Sequence, residues 1–528
     1  MHPGPIRLAA AWSWVLALAA CSERPLPYGA EMPGTDAGVE HGEPGDAGDA
    51  GDSDPPPGVL DWAIAVAPQA MPTVPGSAHV TAVLAGDDGG ATVAGWFTGR
   101  VGFASDYLLD GGTGTGFVAR YRRDQRFVWQ TAFSSDGGAV VVSDMTALGG
   151  GEVTVAGWYS GTLVILRSDH SDLRLPSAGG LDLVVVRLAS DGSVRWARRA
   201  GGPSDDIARG VAGRIDSSGV GSIALTGAIA DGAVFGPGEA GETTVPVGAG
   251  PIYAALLTLE GDLSWVRFAG RGVPGQGYGV AHDVTGAVAV TGYVNGIAAF
   301  GNDVNGAPVS INPADGRAFV ARWDVGGRLS WAQPLGGPEG EGDAIAVGGD
   351  GTIVATGLFK DKARFGSAAS APMLIADSPG QYGAYLAAFA PAGGAAIWAR
   401  RLVGIGVRPW RLRAAPDGDL LVAASFGGGI VLDPDGRTPR RLFSSGSTDA
   451  LFARLDSGGA LRWATAGGGP GDEQGADVTS ARDGTTWAVG TYFGPATFGA
   501  GSAFGAGAAV ELESGTDGGS FLLRLLEP

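Results

Sequence analysis

The chain has 528 residues, 45% of them hydrophobic and 17% charged, which excludes a wholly disordered protein. Its net charge of −19 leaves no basic footprint of the size a duplex-binding protein needs, so nucleic acid is not an expected partner. The single cysteine, Cys21, excludes intrachain disulfides.

Glycine supplies 95 residues without a Gly-X-Y period, a composition that suits many tight turns between short strands. His2, His41, His79, His170 and His282 are too far apart for helical or finger-type metal spacing. No metal or other cofactor is expected.

At the N-terminus, Arg7 precedes thirteen residues, Leu8 to Ala20, that are apolar except for Ser13. The run is too short to span a bilayer and suits a signal-peptide core. It ends Leu18-Ala19-Ala20-Cys21, which resembles the bacterial lipobox. The resemblance implies a signal peptide over residues 1–20, lipid attachment at Cys21 and membrane association through that lipid. The protein is then expected in the bacterial cell envelope, lipid-anchored at the outer membrane on its periplasmic or surface side. Residues 21–57 follow as an acidic Gly/Pro/Asp-rich tether; nine acids against one Arg cannot bury enough surface to offset chain entropy. Removing its −8 and the +1 of Arg7 from −19 leaves −12 for residues 58–528.

From residue 58 a Trp recurs as Trp62, Trp129, Trp196, Trp265, Trp331, Trp398 and Trp463, at spacings of 67, 67, 69, 66, 67 and 65. Such a period indicates one supersecondary unit repeated. After each Trp comes a glycine-rich crossing, then a strand, a turn and a second strand such as "TVAGWF" (Thr92 to Phe97). That second strand carries Gly95, Gly157, Gly227, Gly292, Gly357 and Gly490, with Ser425 breaking the rule in the sixth unit. A recurrent strand glycine suggests a bulge or a close neighbouring backbone. Phe-Gly turns at Phe235, Phe300, Phe365 and Phe498 follow, then a third strand such as "FVARW" (Phe319 to Trp323) and a tight turn back to Trp.

The residue two before each Trp is apolar and the one after it is mostly Ala, so alternation places the Trp on a bulky face. All seven are expected to be buried between sheets, each contributing roughly 4–6 kcal/mol at ~25 cal/mol/Å².

Four short antiparallel strands per unit, seven times over, specify an all-β, seven-bladed β-propeller across residues 58–528. The C-terminal "FLLRLLEP" lacks a Trp strand and "VLDWAIAV" (Val59 to Val66) lacks a third strand. Joined, they close the last blade with the N-terminal Trp strand and remove an open edge. The pattern of a "FVAR" hairpin into Trp, then "GG…D", then a strand ending "TG", resembles the bacterial β-propeller repeat family often labelled SBBP. The resemblance implies a surface or secreted bacterial protein and no shared catalytic residue. The second unit departs from it, with "TLVILRSDH" (Thr162 to His170) in place of the Phe-Gly turn.

Other motifs have plain structural readings. "SDGSVRW" (Ser190 to Trp196) lacks one residue of a sialidase-type Asp box, and "DSGGALRW" (Asp456 to Trp463) is similar to quinone-dehydrogenase repeats. "NDVNG" (Asn302 to Gly306) and "DPDG" (Asp433 to Gly436) read as Asx turns more simply than as calcium loops. Arg198, Arg199, Arg400 and Arg401 read as charges protecting an exposed edge. Trp96 and Trp158 read as core. The function expected is binding or scaffolding of a protein or glycan on a rigid frame, with no catalysis. The alternatives are an envelope assembly factor and a propeller hydrolase or quinone-dependent oxidoreductase.

Overall fold

The computed structural model describes residues 59–68, 76–104, 107–110, 114–167, 171–239, 241–376, 380–404, 406–433, 439–498, 510–513 and 518–526. All lie in the second of two compact units, Asp54–Pro528. The expected signal peptide, Cys21 and the tether lie outside the described residues.

The fold is an all-β, seven-bladed propeller. The innermost strands of blades 1 to 7 are Ala78–Ala85, Val140–Ala147, Ile207–Ile215, Gly275–His282, Glu341–Val347, Arg408–Ala414 and Gln474–Ser480. Each packs on the next, and the seventh packs on the first, so they surround one axis. Every blade then runs outward through three more antiparallel strands, as in Gly275–His282, Val288–Val294, Ala318–Trp323 and Leu329–Leu335 of blade 4. In blade 7 the outermost strand is Val59–Pro68, paired to Gly519–Leu526 with Trp62 opposite Arg524. The ring is therefore closed by strands from the two ends of the propeller.

The units contain more than four strands. Each inserts a hairpin between its second and third strands, for example Arg100–Ala104 with Tyr107–Asp110 and Ala298–Asn302 with Pro308–Ile311. In four blades this hairpin pairs with the outermost strand of the preceding blade, as Ala200 does opposite Phe235. It covers edges that would otherwise be open to pairing with another chain. The Phe-Gly residues are its anchors: Phe300 meets Phe319 at 4.9 Å, Phe365 meets Tyr385 at 4.8 Å, and Phe498 meets Phe521 at 4.6 Å between ring centroids. In the divergent second unit the hairpin is built from Leu163 and Ile165 instead, both fully buried.

Candidate functional site

The seven Trp occupy one register position, each opposite a residue of the third strand just before a bulge. Their burial is not uniform, which corrects the sequence expectation. Trp265, Trp331 and Trp463 are buried, while Trp129, Trp196 and Trp398 are half-buried; the side chain of Trp62 lies outside the described ones. The cause is their place on the outermost strand, where the next blade's turn is the main cover. Trp129, Trp196, Trp265 and Trp331 donate through Nε1 to a carbonyl of that turn, at Ser190, Leu259, Val325 and Pro391 respectively, over 2.8–3.0 Å. The residue two beyond the Trp grips the same turn: Thr131 donates to Gly192 O, Arg267 to Gly327 O and Arg400 to Gly458 O. Arg198 pairs with Glu239 and Arg199 with Asp182, and Arg401 donates to Ile375 O. These arginines therefore join parts of the propeller and do not stand as free edge charges.

The strand glycines share a second environment. A Cβ on Gly357 would sit 1.9 Å from the carbonyl of Glu341, and Gly95, Gly157, Gly227, Gly292 and Gly490 meet the same obstacle within 2.0 Å. In the sixth unit the register places Ala424, opposite Pro409, at this position; Ser425 is one residue further on. The exception is therefore Ala424, and Ser425 instead accepts a hydrogen bond from Trp410 Nε1 at 3.0 Å.

Beside each of these positions the innermost strand carries one extra residue. The register skips Thr81, Ser143, Arg209, Tyr278, Asp343, Trp410 and Ala476, one per blade. All seven are partly accessible. Bulges re-aim side chains and are over-represented next to active sites. Here they make a ring of seven chemically different groups on a repeated frame, around the axis.

The ring is richest at blades 4 to 6. Tyr278 packs on Tyr293 with centroids 5.6 Å apart, and Arg317 lies 4.7 Å over the Tyr293 ring. Glu341 faces Arg317 at 4.0 Å and Arg408 at 3.3 Å. Arg408 approaches Asp343 at 3.9 Å and stacks 4.7 Å over Trp410. Rings and guanidinium groups thus alternate in one row, the geometry of cation–π contacts. No sequence signal marked these residues; the strand glycine beside the bulge, which blade 6 replaces with Ala424, is the only trace.

Below the ring the axis is filled by charge. Arg413 donates to both oxygens of Asp477, at 2.9 and 2.6 Å, and reaches Asp144 at 3.5 Å. Arg411 approaches Asp144 at 3.1 Å and Asp477 at 3.5 Å, and donates to Thr81 O. Blades 6 and 2 are not neighbours, so these side chains meet across the axis. Burial opposes the charge on Arg413, but the two carboxylates outweigh it and raise its pKa above the ordinary Arg value. Each carboxylate also accepts a backbone N–H of the next blade, Asp144 from Val211 at 3.0 Å and Asp477 from Val83 at 2.9 Å. The cluster ties five blades together.

Of the remaining candidates, "DPDG" lies outside the described residues beyond Asp433; those described are structural. Asp303 Oδ1 accepts from Asn305 N and Ala307 N at 2.9 Å, an Asx turn. Trp96 and Trp158 are buried, and His79 stacks on Trp96 at 4.2 Å, with burial lowering its pKa to about 4. Among the described residues no group of three or more His, Cys, Asp or Glu could hold a metal ion.

No family model matches the chain, and no curated protein matches it. Among solved structures, it is similar to a streptogramin B lyase at 10% identity, covering 88% of this chain and 97% of that one, with a TM-score of 0.35. It is also similar to the quinohemoprotein alcohol dehydrogenase of Comamonas testosteroni (9% identity, 88% of this chain, 76% of that one, TM-score 0.35). The Dos1 propeller is a third, at 7% identity over 72% of this chain and 91% of that one, with a TM-score of 0.32.

Proposed function

We propose that this chain is a binding or scaffolding propeller of the bacterial cell envelope, held to a membrane by lipid on Cys21. Its protein or glycan ligand seats on the bulge ring at blades 4 to 6. The ring is the observation that carries this reading: seven equivalent positions hold Thr, Ser, Arg, Tyr, Asp, Trp and Ala, while the frame around them repeats. Variable side chains on a rigid scaffold are how a repeat fold acquires a partner. Half-buried aromatics interleaved with arginines suit a ligand that offers both ring faces and hydrogen-bonding groups. Lipid attachment is supported by the lipobox-like Leu18-Ala19-Ala20-Cys21, and the envelope setting by the SBBP-like repeat.

The test is a glycan array with a hydrolysis readout, run beside a pull-down from crosslinked membranes, using the wild-type chain and a Tyr278→Ala/Trp410→Ala variant. Capture of a protein or an uncharged glycan that needs both side chains, without product formation, is expected. Turnover of an arrayed glycan would replace binding with catalysis. Capture unaffected by the double variant would move the site away from the ring.

A further inference from the structure

The divergent second unit does more than replace a Phe-Gly turn. Its hairpin, Thr162–Leu166 with Asp172–Pro176, is hydrogen-bonded to the outermost strand of the preceding blade, Phe127–Asp136, and its Arg167 and Leu173 share a groove with the outermost strand of its own unit, Val194–Gly201. Between them, and bounded by the turn at Leu259 and Glu260 of blade 3, lies an open groove of about 530 Å³. Its lining includes Arg167, Arg187, Arg195, Arg198, Trp196 and Leu173. Four guanidinium groups in one groove are unusual on a chain whose net charge is −19.

Their pairing is unequal. Glu152 serves two of them, Arg187 at 2.6 Å and Arg195 at 3.0 Å. Arg198 pairs with Glu239 at 3.2 Å and lies 5.6 Å over the Trp196 ring. Arg167 makes no ion pair with any described residue, and both it and Arg195 are exposed. The groove thus offers a leucine and the part of the Trp196 indole that the blade 3 turn and Arg198 leave uncovered as an apolar wall, the exposed Arg167, the exposed but Glu152-paired Arg195, and Glu260 as an acceptor for hydroxyl groups. A guanidinium fork matches a carboxylate or a phosphate, and of the two a carboxylate carried on a sugar ring is the one assigned to this groove.

We propose that this groove binds a carboxylated sugar ring, the chemistry of a uronic acid unit in an acidic glycan. The sugar's apolar face would lie on Trp196 and Leu173, its carboxylate between Arg167 and Arg195, and its hydroxyls toward Glu260. The groove is on the outer rim of blades 2 and 3, so this assignment is independent of the ring at blades 4 to 6.

Titration of the full chain with oligogalacturonate, followed by indole fluorescence, tests it. Saturable binding that weakens with added salt is expected. It should fall at least tenfold in an Arg167→Ala/Arg195→Ala variant whose melting temperature matches wild type. A neutral galactose oligomer of the same length should not bind. Equal binding of the neutral oligomer, unchanged affinity in the double variant, or no binding of oligogalacturonate would overturn the assignment. So would binding of benzoate alone, since that marks a site for a flat aromatic acid and not for a sugar.

Discussion

Trp331 donates its indole N–H to the carbonyl of Pro391, 3.0 Å away in the next blade. Gly394, in the same turn, closes over the ring with φ +67°, and a Cβ there would lie 2.5 Å from the indole. Neighbouring Gly393 has φ +75° but open space around it. Gly394→Ala should therefore cost about 2–4 kcal/mol, from the left-handed backbone plus the clash. Gly393→Ala should cost only about 1–2 kcal/mol, from the backbone alone. Urea unfolding of the two variants separates these terms. Equal costs would mean that the turn does not clamp the Trp.

Among the described copies, the indole bond of this latch is absent at Trp398 and Trp463, and at Trp463 the donor is buried. Trp463 is buried, yet its Nε1 finds no partner among the described residues. The turn that would accept it belongs to blade 7, where the third strand ends at Leu526 and the outermost begins at Val59, with no hairpin turn between them. Trp331→Phe should thus lose a hydrogen bond worth about 1 kcal/mol, while Trp463→Phe removes a buried donor that was already unsatisfied. The expected result is that Trp331→Phe is the more destabilising by about 1–3 kcal/mol in chemical denaturation. The reverse order would contradict the broken-turn explanation.

Two buried carboxylate pairs predict a pH effect with a defined sign. Glu473, wholly buried, is pushed up to about 7 by burial, with Asp449 adding repulsion; Asp206, beside Asp182, is raised to about 6, also by burial first. A carboxyl whose folded pKa is raised contributes stability fully present below its ordinary 4.5, lost as pH rises through 7. Half-buried His282 runs the other way: burial of its ring nitrogens lowers its pKa to about 4, so its contribution is present above 6.5 and lost as pH falls. The overall curve blends these, so a difference measurement is required. Relative to wild type, Glu473→Gln should melt higher at pH 8 than it does at pH 5. An offset independent of pH would show that Glu473 is ionised in the folded protein at both.

The anchor is tested by Cys21→Ala. In cells, the wild-type protein should fractionate with membranes through a high-salt wash and be released by detergent. The variant should be soluble, since the proposed lipid attaches through Cys21 alone. A variant that stays with the membrane through the salt wash would exclude lipid attachment as its means of association.

The spacing of the seven Trp, the alternation around them and the incomplete first and last units were enough to read the propeller, its blade number and its closure from sequence. Those features are periodic, and a period survives in one dimension because every blade must solve the same packing problem. The recurrent strand glycine likewise signalled a close backbone approach before the carbonyl of Glu341 was seen against Gly357. Ala424 was misplaced by one residue, because only the pairing to Pro409 sets the register. Some of the edge hairpins, such as the two-residue strand Thr243–Thr244, are too short to carry any alternation. The bulge ring and the axial cluster were invisible for a deeper reason. Tyr278, Asp343 and Trp410 lie more than sixty residues apart, and Arg413 and Asp144 are 269 apart. No local pattern links them; they meet only because closing the ring brings seven innermost strands around one axis.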